Sequence, residues 1–176
     1  SSAASDVYKR QSRMIIRWAE KSDLQSLVDI FNYEVLNGTA SFSIRPRSLE
    51  ERTVWFEQHD RGRFPLIVAE EDKRAVGYAS LSVYRDNDAY AATVELSVYV
   101  DHEYRGRKIG DALMEELLRI AKENGEVHAI ISVITADNAA SIRLHEKFGF
   151  QFCGITREVG RKFGRWLDAA FYQLNI

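Results

Sequence analysis

A mixed α/β sheet with helices packed on its faces is the fold class this sequence predicts. Two observations carry it. Short apolar runs of period two alternate along the chain with longer runs whose apolar residues recur at helical spacing. In the middle, three strand-like runs follow one another across short polar turns of hairpin type, which makes most of the sheet antiparallel. The order β, α, α, β, β, β, α, β, α, β, β gives about seven strands and about four helices.

Each element has a local reason. "MIIRWA" from Met14 reads as a strand, and "KSDLQSLVDIFNYEVL" as a helix with Ser22 and Gln25 at capping-box spacing and Leu24, Leu27, Val28, Phe31 and Val35 on one face. The turn-rich "NGTASFSIRPRS" leads to a second capping box, Ser48 with Glu51, which opens "LEERTVWFEQHD". "PLIVAEE", "AVGYASLSVY" and "ATVELSVYV" are the consecutive strands, joined by "DKR" and "RDNDAY". After "YRGRKIG", Ile109, Leu113, Leu117 and Ile120 or Ala121 form an amphipathic helix that Asn124 and Gly125 end. "VHAIISVIT" is a strand, Ala139 to Lys147 a short helix stopped by Gly149, and "QFCGITREV" and "DAAFYQLNI" are strands around the turn "GRKFGRW".

With 176 residues, 45% of them hydrophobic and 28% charged, the chain has the apolar content for one domain, placed at residues 14–176. The small, polar, aperiodic residues 1–13 are set aside as a non-native or disordered leader. A formal net charge of −2 disfavours nucleic acid or an anionic membrane as the main partner, because both need a broad positive field. The basic "RKFGR" at 161–165 is too short to change that. A lone cysteine, Cys153, cannot form an internal disulfide; it is expected to be a buried, inert thiol in a cytoplasmic protein. His59, His102 and His128 lack ligand spacing, so no catalytic metal is expected.

The chemistry gathers around "YRGRKIG". The first turn of a helix presents backbone N–H groups without intrahelical partners, and its dipole adds about half a positive charge. Arg105, Arg107 and Lys108 add mobile charge, while Gly106 and Gly110 let a bulky phosphate approach. A solvated basic turn with a helix-packing glycine accounts for the same residues. No P-loop and no Gly-x-Gly-x-x-Gly βαβ unit is present, which disfavours nucleoside triphosphates and NAD. In "ATVELSVYV", Val94, Leu96, Val98 and Val100 share one face and leave Glu95 on the other with Ser97 and Tyr99. A carboxylate there is either solvated, salt-bridged or a general base.

"ELSVYVDHEYRGRKIGDALMEELL" and "ITADNAASIRLHEKFGF" resemble the acyl-CoA core of the GNAT N-acetyltransferases, whose motif reads Arg/Gln-x-x-Gly-x-Gly/Ala. Arg105 and Gly110 match; Lys108 stands where the first motif glycine would be, a departure the motif tolerates if Lys108 keeps a helical φ, since its N–H can still donate. "NGTASF", "SLEERTVWFEQ", "VGYASL", "NAASIRLHEKFGF" and "GRKFGRWLDAAFYQL" narrow the resemblance to the phosphinothricin and methionine sulfoximine acetyltransferase branch, over Met14 to Ile176.

The resemblance implies a GNAT fold and acetyl-CoA as co-substrate. Val98, Tyr99 and Val100 would receive the pantetheine arm, with a backbone N–H there worth about 3 kcal/mol to the developing oxyanion. Arg105, Gly106, Arg107, Lys108, Ile109, Gly110 and Asp111 would hold the pyrophosphate. Asn138 and Ser141 would meet the pantetheine, and Lys147 would lie near the nucleotide; Asn138 and Ser141 also have the spacing of a helix cap. Glu95 would be the general base. His145 would either protonate the departing thiolate or pack beside the sulfur. Phe42, Arg85, Asp88, Ala89, Tyr90 and Phe148 would line the amino-acid pocket, with Arg85 suited to a carboxylate or phosphinate.

The implied activity is direct acetyl transfer to the α-amine of a small amino acid analogue such as phosphinothricin, methionine sulfoximine or methionine sulfone, by a homodimer. A protein N-terminal or polyamine acetyltransferase, or a non-catalytic acyl-CoA sensor, would use the same core.

Overall fold

The computed structural model describes residues 14–176, so the expectation for 1–13 lies outside the described residues. Seven strands form one sheet: β1 (Ile15–Trp18), β2 (Leu66–Glu71), β3 (Arg74–Val83), β4 (Thr93–Val100), β5 (Ala129–Thr135), β6 (Gln151–Lys162) and β7 (Arg165–Asn175). Four α-helices accompany them: α1 (Leu24–Asn37), α2 (Leu49–Glu57), α3 (Ile109–Asn124) and α4 (Ala139–Lys147). The strand order is β1-β2-β3-β4-β5-β7-β6. All neighbours are antiparallel except β4 and β5, which run parallel.

Alternation along β3 and β4 divides the core. Ala79, Leu81, Val94 and Leu96 face α3, where Leu113, Met114, Leu117 and Ile120 meet them in one buried cluster. The opposite face carries Tyr78 and Tyr99, packed against Leu27 and Ile30 of α1 and Trp55 of α2. Arg52 fastens α2 to this face. Its buried guanidinium lies 3.6 Å from the Trp55 ring centroid and 4.3 Å from that of Phe31, and donates to the Tyr78 hydroxyl at 3.3 Å. Stacking of this kind suits the weakly hydrated arginine plane.

The Ser48–Glu51 capping box forms as the sequence implies. The Ser22–Gln25 box does not. Residues Lys21–Asp23 make a 3-10 turn capped reciprocally by Glu20 and Asp23, and α1 begins one turn later. The cause is an ion pair: Asp23 is buried against Arg17 at 2.8 Å, with its other contact to the Glu20 N–H at 2.7 Å. That fixes Asp23 as the anchor of the turn.

The closing hairpin is longer than "GRKFGRW" suggests. Phe163 and Gly164 alone form the turn, both at positive φ (52° and 73°), the conformation of tight two-residue hairpins. The flanking basic residues therefore belong to β6 and β7. A register shift between Phe152 and Gly154 accompanies an exposed Cys153, contrary to the buried thiol expected. Trp166, at the start of β7, is 56% exposed.

Candidate active site

The sheet parts at one place. β4 and β5 are registered only from Thr93–Ala129 to Glu95–Ile131. Beyond that point β4 continues beside β3 to Val100 and β5 continues beside β7 to Thr135. Between them lies a small cavity of about 60 Å³ reached by Leu96 to Tyr99, Ser132 to Ile134, Asn138 and His145. It adjoins a cleft of about 700 Å³ that runs to the N-terminus of α3.

The expected cofactor residues converge on that cleft. Val98, Tyr99, Val100, Arg105, Gly106, Lys108, Ile109, Gly110, Asp111, Asn138 and Ser141 all line it. Lys108 is the N-cap of α3 and makes no side-chain capping bond, so the first-turn N–H groups at Ile109 to Asp111 lack a capping side chain. Lys108 does not keep the helical φ that is the condition for tolerating it there: its φ is 60°, in the left-handed region. The position thus makes a glycine's conformational demand of a lysine. Gly106 is also left-handed, at φ 77°, so the turn into α3 takes two positive-φ residues within three positions.

Two expected members are turned aside. Arg107 pairs with Glu71 at 3.1 Å and lies over the Tyr104 ring, and Lys147 pairs with Asp111. Arg105 lines the cleft but its guanidinium meets Glu34 of α1. Glu34 sits within the apolar stripe of α1 and is buried. A carboxylate interrupting the Leu27–Phe31 periodicity was the sequence signal for it.

Glu95 occupies the last registered pair before the strands part. It is partly buried, and loss of solvent raises its carboxyl above the usual range. His145 is 2% exposed. Its Nδ1 lies 2.7 Å from the Ser141 carbonyl and its Nε2 2.8 Å from Ser132 Oγ. A carbonyl can only accept, so Nδ1 carries the proton; in the neutral ring Nε2 then accepts from the Ser132 hydroxyl. Burial lowers the imidazole's pKa, which keeps it neutral. Asn138 caps α4 through the Ser141 N–H at 3.2 Å.

The acceptor-side residues are more dispersed. Arg85, Asp88, Ala89 and Tyr90 stand exposed on the β3–β4 connection, with Arg85 over the rings of Tyr84 and Tyr90. Phe42 lies across the sheet edge against Gly160 of β6, where an added Cβ would come within 2.5 Å of its ring. Phe148 packs into the α3 cluster, away from this group. Sequence reasoning missed Thr39, Ala40, Tyr104 and Leu144, which also line the cleft; nothing in their residue types marks them. No group of His, Cys, Asp and Glu suited to a metal occurs among the described residues.

Comparison with known proteins agrees with this geometry. The chain is 38% identical over 163 residues to an L-methionine sulfoximine/L-methionine sulfone acetyltransferase of Salmonella typhimurium, covering 93% of this chain and 95% of that protein. It is 40% identical over 162 residues to a phosphinothricin N-acetyltransferase of Streptomyces coelicolor, covering 90% and 94%. Among solved structures, a GNAT superfamily phosphinothricin acetyltransferase from Sinorhizobium meliloti in complex with AcCoA superposes with a TM-score of 0.88 at 36% identity, over 93% of this chain and 88% of that one. The sequence pattern of the acetyltransferase (GNAT) family matches residues 28–150, across β2 to β5 and both walls of the cleft. The chain belongs to the acetyltransferase (GNAT) family.

Proposed function

We propose that this protein is an acetyl-CoA-dependent N-acetyltransferase acting on the α-amine of a small amino acid analogue, of the phosphinothricin, methionine sulfoximine or methionine sulfone kind. The observation that carries the reading is a cleft running from the α3 N-terminus to Val98 and Tyr99, where it adjoins the small cavity at the parting of β4 and β5, just beyond the last registered pair, which holds Glu95. Relatives of 38% and 40% identity bear the corresponding names.

Bound acetyl-CoA supplies the activated acetyl thioester. The turn from Arg105 to Asp111 holds its pyrophosphate by backbone N–H groups and the α3 dipole. The open side of β4 at Val98 to Val100 receives the pantetheine and aims a backbone N–H at the thioester oxygen. Glu95 takes the proton from the substrate ammonium, and its raised proton affinity brings it nearer that task. His145, neutral and with its ring nitrogens engaged, orients the groups around the small cavity instead of donating a proton. Arg85 faces the acidic group of the substrate from the β3–β4 connection.

The protein acts in the cytoplasm, without a metal, as a homodimer. An edge strand, β6, offers exposed Phe152, Ile155 and Val159 as a face for a second copy; sedimentation equilibrium of the purified chain reads this directly. For the activity, purified protein is incubated with acetyl-CoA and a panel of these amines. Thiol release with at least one is expected, and tight CoA binding without release from any would overturn the reading.

A further inference from the structure

Lys162 on β6 sends its ammonium inward. Nζ donates to the Ser41 carbonyl at 2.9 Å and more distantly to the Glu34 carbonyl at 3.4 Å, and the residue is 4% exposed. No carboxylate lies within ion-pair distance of it among the described residues. A buried ammonium of this kind is costly, and burial lowers its pKa. A hydrocarbon side chain would fill the same space at less cost. What it could not do is hold the backbone of the 38–42 segment.

That segment is gripped from several strands. Thr135 at the end of β5 donates to the Thr39 carbonyl at 2.5 Å. The Tyr99 hydroxyl of β4 interacts with the Ser41 side chain. Gly160, two residues before Lys162, leaves the space that the Phe42 ring fills. Between these anchors, Thr39 and Ala40 line the main cleft and Ala40 also lines the cavity at the strand parting. One short segment therefore borders both the main cleft and the cavity at the strand parting.

We propose that Lys162 is a positioning residue for the acceptor side of the site: its ammonium sets the 38–42 segment, and through Ala40 the wall of the cavity at the strand parting beside which the amine is aligned. This rests on the acetyltransferase reading above. The pyrophosphate contacts at the α3 N-terminus lie on another element; the segment itself meets the donor cleft at Thr39 and Ala40, beside Glu34 and its partner Arg105. Loss of the ammonium weakens the amine's alignment and leaves the donor's grip largely intact.

The test uses the full chain. Lys162→Met removes the ammonium and keeps much of its length, while Lys162→Arg keeps donors in place; Thr135→Val cuts the second tether at a different strand, should the Met variant fail to fold. Expected in Lys162→Met and Thr135→Val is an amine KM raised about tenfold with acetyl-CoA affinity within about threefold of the wild type. Lys162→Arg should recover part of the loss. Hydrogen exchange should quicken at residues 38–43 more than elsewhere. An unchanged amine KM in a folded Lys162→Met, an unchanged amine KM in Thr135→Val where the Met variant fails to fold, or exchange quickened uniformly through the chain with both affinities falling together, would overturn the proposal. A wild type that binds acetyl-CoA but acetylates no amine would instead remove the reading on which it rests.

Discussion

His145 Nε2 accepts a hydrogen bond from Ser132 Oγ at 2.8 Å, across the gap between α4 and β5. Replacing Ser132 by alanine leaves that nitrogen buried without a donor. Unfolding in urea should show a loss of about 1–3 kcal/mol. If the ring were a general acid, a His145→Gln variant would lose the basic limb of the pH–rate profile; the neutral geometry predicts a lower kcat with the shape of the profile kept.

Glu95 gives opposite signs for activity and stability. Its folded-state pKa is raised by burial, so the folded chain holds this proton where the unfolded chain has released it, and stability falls as pH rises through that window. The active carboxylate is the form present above the raised pKa, so activity is lost as pH falls through it. Glu95→Gln should therefore lose about 100-fold or more in turnover while melting at a higher temperature than the wild type at neutral pH. Turnover unchanged in that variant would remove Glu95 as the general base.

Lys108 supplies a third outcome. A lysine at φ 60° carries a steric cost that glycine avoids, offset in part by glycine's greater freedom when unfolded. Lys108→Gly should stabilise the chain by about 0.5–1 kcal/mol. Calorimetric titration with acetyl-CoA should show affinity changed by less than about tenfold, since the backbone amides stay where they are.

Gly160→Ala places a methyl within 2.5 Å of the Phe42 ring. The ring must move or the strand must yield, a cost of about 1–3 kcal/mol. Thermal melting reads the cost, and steady-state kinetics should show the amine KM rising with it.

Much of this fold is written locally in the chain. Ser48 and Glu51 cap α2 because a serine and a glutamate three apart need only a free helix end. Ser22 and Gln25 have the same kind of spacing but lose to Asp23, whose partner Arg17 lies on β1; a contact between elements outweighs a local pattern. Lys162 is the sharper case. In "RKFGR" it reads as one of several solvated cations, yet a two-residue turn at Phe163–Gly164 extends β6 and its alternation carries the lysine inward. Glu95 was legible because it breaks a strand pattern, and Lys108 because it departs from a motif. Thr39 and Ala40 were not, since their part in the cleft comes from where β5 and β6 hold their backbone.

The brief registration of β4 with β5 has a mechanical meaning. The sheet is two panels, β1–β4 and β5–β7, stitched by three residue pairs from Thr93 to Glu95. In the proposed function the thioester donor, carrying its own amide groups, would lie in the seam beyond the stitch, as mortar as well as reagent. The empty protein should open along that seam first, and saturation with acetyl-CoA should make the panels unfold as one.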